Sequence, residues 1–137
     1  MSESLPLACP GFAAMVAPFL DAGHLEIGPV HVVDVLGMGC DGISAQVLLG
    51  LAFVVQAPLR GHVGVDLSTL RDSIGAVPEQ PVGLPWPEDG TAWMNAVSAC
   101  GLVGTASEDA PFVIEAGLIL PRRMWTYQDL VLSLIHI

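Results

Sequence analysis

Residues 43–57, ISAQVLLGLAFVVQA, carry polar side chains only at Ser44, Gln46 and Gln56, so a helix built from them has no wet face. A helix that is apolar all round belongs in a protein core or in a membrane. This one is shorter than the ~20 residues that a bilayer span requires, which leaves the core. The stretch therefore sets the plan of the chain: a buried central helix with the other elements packed around it. Pro58 and Gly61 end it, because proline cannot extend the hydrogen-bond ladder and glycine suits the residue after a helix. The following HVGVDL, residues 62–67, alternates apolar and polar residues and reads as a short strand or extended segment against the helix. Asp66 or Ser68 is then placed to cap a helical turn beginning near Leu70.

The flanking segments supply the packing partners. Phe12, Met15, Val16, Phe19 and Leu20 fall at helical spacing. Pro18 interrupts them and is expected to start a second short helix, PFLDAG, ended by Gly23. Pro29 suits the first turn of a helix PVHVVDVLGM that closes at Gly37 and Gly39, with His31 and Asp34 on its solvated face; Asp41 is placed to cap the central helix. RDSIGAV has the length for one or two helical turns. Residues 78–90 hold four prolines and two glycines and read as a surface loop. TAWMNAVSAC, residues 91–100, reads as an amphipathic helix capped by Thr91, with Trp93, Met94 and Val97 inward. After a polar loop, PFVIEAGLILPRR has two apolar runs about Glu115-Ala116-Gly117, a hairpin signal. MWTYQDLV opens a further helix. The expected fold is mainly α: a small helical domain with a short β-hairpin near the C-terminus.

Charge narrows the function. Only 13% of the 137 residues are charged, against about 25% in an ordinary soluble domain. That is little with which to cover a free-standing surface, and an apolar patch left exposed marks a partner interface. Fourteen acids oppose four bases, giving a net charge of −10; the bases are Arg60, Arg71, Arg122 and Arg123, and lysine is absent. A nucleic-acid grip needs several cations on phosphates, and a phosphate-binding P-loop needs its lysine. Neither is available in these residues. Cys9, Cys40 and Cys100 form no C-x-x-C pair and read as buried thiols of a reducing compartment. The N-terminus lacks the basic region of a secretory signal, and no apolar run is long enough to span a bilayer. The expected location is the cytoplasm.

No constellation carries chemistry. His24, His31 and His62 share no metal-ligand spacing with each other or with the cysteines. His62 and Asp66 flank the turn after the central helix, where a hydrogen-bonding role competes with the alternative of a small free-standing enzyme or binding protein that uses the pair. Ser68, Ser98 and Ser107 sit in no G-x-S-x-G elbow. Trp86 and Trp93 have no basic neighbours and read as core anchors, whereas Trp125 stands beside arginines. No catalytic, cofactor-binding or metal residue is assigned.

Four stretches in order, PFLDAGHLEIGPVHVVDVL (18–36), LLGLAFVVQAPLRGHVGVDLSTLRD (48–72), LPWPEDGTAWMNAV (84–97) and PFVIEAGLILPRRMWTYQDL (111–130), resemble the N-terminal domain of RecD, the exodeoxyribonuclease V alpha subunit of RecBCD, most of all its actinobacterial members. The most specific marks are Gly61-His62-Val63 followed by Asp66-Leu67, and a hairpin ending in Arg123-Met124-Trp125; with these, Trp86 and Trp93 are counted as family-motif, structural or docking residues. The resemblance implies a mainly helical docking domain that packs on RecB/RecC-type subunits and meets DNA only through the full complex. It further implies an ATP- and Mg²⁺-dependent 5′–3′ helicase motor elsewhere in the subunit, with no cofactor in this domain. The family's ATP-site motifs match nothing here, so these residues alone are expected to be inactive. Two departures stand out: Gly64, where members often carry cysteine, and LILPRRMW, which lacks a frequent tyrosine.

The expected division is a loose N-terminus over 1–11, the RecD-like domain over 12–130 and a non-native tail over 131–137. The tail's LSLIHI, residues 132–137, is one reading frame of a transposon-end sequencing adapter, although the same residues would also pass as an apolar helix end.

Overall fold

The computed structural model describes residues 9, 11–39, 43–70, 86–105 and 110–122. Among them the elements are α1 (Phe12–Asp21), α2 (Ile27–Met38), α3 (Ala45–Gln56), a 3-10 turn (Ala57–Arg60), α4 (Gly90–Ser98), β1 (Val103–Gly104), β2 (Phe112–Glu115) and β3 (Leu118–Pro121). The fold is mainly α with a minor sheet, as expected.

Helix α3 is the centre. Every residue from Val47 to Gln56 is buried, and the helix packs on α1, α2, α4 and β3. Leu48, Leu49, Leu51 and Val54 have no exposed surface, and burial of each such side chain contributes about 1.5–3 kcal/mol. The cap is Ser44, whose hydroxyl accepts from the Val47 N–H at 3.2 Å; the expected cap, Asp41, lies outside the described residues. Gly50 lets α4 and the turn after α3 approach closely, since a Cβ there would sit 2.8 Å from Leu67 Cδ1 and 2.9 Å from Val97 Cγ2.

Three expectations about the flanking helices are corrected. Pro18 does not start a new helix: α1 runs through it to Asp21. Phe12, Val16 and Phe19 are all wholly buried, and only one unbroken helix carries positions i, i+4 and i+7 onto the same face. Proline lacks a single N–H, the one that would have met the carbonyl of Ala14, an exposed residue. Helix α2 has no solvated His31–Asp34 face, because Asp34 is wholly buried and His31 nearly so. The Asp34 carboxylate accepts the Cys9 N–H at 2.9 Å, and the Cys9 thiol donates to the Asp34 carbonyl at 3.4 Å. Cys9 is thus buried and anchored within a segment read as loose; residues 1–8 lie outside the described set. Helix α4 is capped by Asp89 rather than Thr91, its Oδ1 accepting from Thr91 N at 3.0 Å and Ala92 N at 3.2 Å.

The hairpin turns where expected. Ala116 and Gly117 both have positive φ, 54° and 80°, the conformation of a two-residue turn matched to strand twist. Strand β2 lies between β1, parallel, and β3, antiparallel. HVGVDL contributes one bridge, Val65 with Ile119 on β3, and is otherwise extended. The end of the proline-rich stretch folds back on the core: Pro87 is buried and the Trp86 ring stacks on Phe53 at 5.7 Å. The expected helices over RDSIGAV and MWTYQDLV lie outside the described residues.

Candidate functional site

The marks Gly61, His62, Asp66 and Leu67 lie in the segment that follows α3 and bridges to β3. Gly61 ends the 3-10 turn at φ 85°, a left-handed conformation in which glycine has no Cβ to clash. The His62 N–H then donates to the Ala57 carbonyl at 2.9 Å and turns the chain back along α3. Val65 and Ile119 exchange both backbone hydrogen bonds at 2.9 Å. Gly64 lies flat against β3: a Cβ on it would stand 2.9 Å from the Ile119 carbonyl oxygen.

Asp66 closes the segment as a cap. Its Oδ1 accepts from the Ser68 N–H at 3.0 Å and the Ser68 hydroxyl at 2.6 Å, and a helical turn opens at residue 67, earlier than expected. Leu67 is buried against Gly50. Among the described residues no hydrogen bond joins His62 to Asp66. His62 is exposed and Asp66 Oδ1 already serves Ser68, so the pair is not arranged as a base and its orienting acid.

Two residues that the sequence reading passed over fix this turn to the α1–α2 corner. Gln56 is buried, its Nε2 donating to the His24 carbonyl and its Oε1 accepting from the Glu26 N–H, each at 2.7 Å. Arg60 donates from Nε to the Glu26 carboxylate and from Nη2 to the Gly23 carbonyl, both at 3.2 Å. The available signal was Gln56 itself, since a lone amide closing an apolar run must find partners when buried.

Between α3 and the turn lies a cleft of about 420 Å³, lined by Phe53, Gln56, Ala57, Arg60, His62, Gly64, Val65, Asp66, Thr69 and Leu70. Trp93 is buried beneath α3, its Nε1 donating to the Gln46 carbonyl at 2.8 Å, and Trp86 is half-buried at 6.3 Å from it. Both act as core anchors. Arg123 and Trp125 lie outside the described residues. No group of three or more His, Cys, Asp or Glu side chains placed to hold a metal occurs among the described residues, and no described helix is long and apolar enough to cross a membrane.

The family model described as RecBCD enzyme subunit RecD, N-terminal domain, matches residues 12–119. The chain belongs to the RecD N-terminal domain family. RecBCD enzyme subunit RecD from Mycolicibacterium smegmatis is 39% identical over 80 residues, a span of 58% of this chain and 13% of that protein. No solved structure matches. The match to the family model runs from the first residue of α1 to β3 and so contains the cleft and the turn that forms it.

Proposed function

We propose that this domain docks a RecD subunit onto RecB/RecC-type partners, in a cytoplasmic enzyme of the exodeoxyribonuclease V type that repairs and recombines broken DNA. The observation that carries the docking role is the outer face of α2. Ile27, Val35 and Met38 are exposed there at helical spacing, and the one charge of that helix, Asp34, is wholly buried. Exposed apolar residues on one helix, in a chain short of charge, are what an interface leaves behind when its partner is missing. DNA contact and ATP turnover belong to the complex in this reading, because residues 1–137 contain no lysine to serve a phosphate loop. The domain unit is taken as residues 12–130.

Co-expression tests the proposal. The chain, tagged and produced with RecB- and RecC-type subunits of an actinobacterial complex, is expected to co-purify with them at a fixed ratio. The purified chain alone should show no ATP hydrolysis above buffer. Failure to associate, with the chain remaining a monodisperse monomer, would remove the docking role.

A further inference from the structure

We propose that the docking surface extends from α2 onto the turn after α3, and that its occupant is an uncharged, apolar face of a RecB/RecC-type partner; this rests on the docking reading above and adds a second element and the partner's chemistry. The large apolar side chains left exposed among the described residues are Ile27, Val35, Met38, Leu59 and Val63. None belongs to α1, α4 or the sheet. The first three fall within about 80° of arc on α2. Leu59 and Val63 belong to the 3-10 turn and the segment that leaves it. Hydrogen bonds hold these two elements together. Glu26 stands immediately before Ile27; its N–H meets Gln56 Oε1 at 2.7 Å, and its carboxylate meets Arg60 Nε at 3.2 Å. The neighbour of Leu59 is thus pinned to the start of α2. The apolar surface runs along α2 to Ile27, across the Glu26–Arg60 pair and onto Leu59 and Val63.

Charge selects the occupant. Over residues 27–38 and 57–65 the side chains of Asp, Glu, Lys or Arg type are Asp34 and Arg60. Asp34 is wholly buried, and Arg60 is neutralised by Glu26. In a chain of net charge −10 this surface is electrically neutral. Complementarity therefore calls for a partner face that is apolar and brings no charge of its own. A strongly basic segment finds no open carboxylate here to pair with, and a second copy brings its own charge of −10 against the first. Docking also covers the Arg60 and Glu26 side chains, now 42% and 52% exposed. The pair must then stay whole, because removing one partner leaves the other as an unpaired charge under an apolar surface.

The test immobilises the full 137-residue chain and titrates it with RecB- and RecC-type subunits of an actinobacterial complex, read by biolayer interferometry. The variants Ile27→Ser/Met38→Ser and Leu59→Ser/Val63→Ser change only exposed residues and keep the charge. Each should weaken binding about tenfold or more with an unchanged melting transition. Arg60→Ala should weaken it comparably, and adding Glu26→Gln to that variant should restore affinity to within about threefold of the original, a rescue that a merely structural Arg60 would not show. Raising NaCl from about 0.1 to 0.5 M should shift the unmodified chain's affinity by less than about threefold, since screening acts on charge. Binding that the α2 variant weakens and the turn variant does not would remove the turn from the surface and leave the docking role standing. A steep loss of affinity with salt, or no rescue by Glu26→Gln, would overturn the neutral occupant. So would light scattering that finds a dimer which the turn variant dissolves, since the occupant would then be a second copy. No binding by the unmodified chain would remove the docking role itself.

Discussion

Replacing Gly64 with alanine tests how the turn is fixed to the hairpin. The new Cβ would stand 2.9 Å from the Ile119 carbonyl oxygen, 3.2 Å from Leu118 Cβ and 3.3 Å from Leu120 Cβ. The nearest atom is backbone, and Ile119 is also the residue whose two hydrogen bonds with Val65 hold the segment. No side-chain rotation relieves the contact; β3 must shift away and stretch that bridge. Overpacking of this kind costs about 1–3 kcal/mol, while alanine in place of glycine returns roughly 0.4–1 kcal/mol by restricting the unfolded chain. The difference spans about 0–2.5 kcal/mol, centred on about 1 kcal/mol, which lowers the melting temperature by roughly 3–5 °C for a domain of this size. Gly101→Ala is the control, since nothing lies within 4 Å of a Cβ there, and it should be neutral or slightly stabilising. Urea melts followed by tryptophan fluorescence report both. If Gly64→Ala melts at or above the wild type, β3 does not press on residue 64 and the account of the turn is wrong. The same arithmetic applies to a larger side chain, so Gly64→Cys should destabilise at least as much.

Three further perturbations separate the contributions. Leu49→Asp places a carboxylate at a position with no exposed surface; several kcal/mol against a total of roughly 5–15 should abolish the cooperative melt in circular dichroism. Gln56→Leu removes both partners of the α1–α2 corner and leaves the His24 carbonyl and Glu26 N–H unpaired; a loss of about 2–4 kcal/mol in denaturant melts is expected, and a loss under 1 kcal/mol would show that the clamp is incidental. Arg60→Ala breaks an ion pair whose side chains are 42% and 52% exposed, so its cost should stay below about 1 kcal/mol and shrink further in high salt.

The sequence by itself determined the parts of this protein that local chemistry settles. A run from Val47 to Gln56 with almost no polar side chain has one stable place, the interior, and α3 occupies it. The Ala-Gly pair at 116–117 selects a two-residue turn because few other residues tolerate positive φ, and the hairpin follows. The family marks at Gly61, His62, Asp66 and Leu67 were legible as a motif, but their purpose was not. Tertiary structure decided that. It brought Gly64 against β3, tied Gln56 and Arg60 to a corner thirty or more positions away in sequence, and opened a cleft between elements that no local pattern pairs. It also buried Asp34. A lone carboxylate on a helix was read as a solvated face, yet α2 is as apolar around its circumference as α3, and the rule that placed α3 inside applies to it equally. Pro18 failed as a break for a related reason: the single hydrogen bond it removes is outweighed by burying Phe12, Val16 and Phe19 on one face. Burial depends on what packs from the other side, and that partner is supplied by distant sequence, which no window along the chain contains.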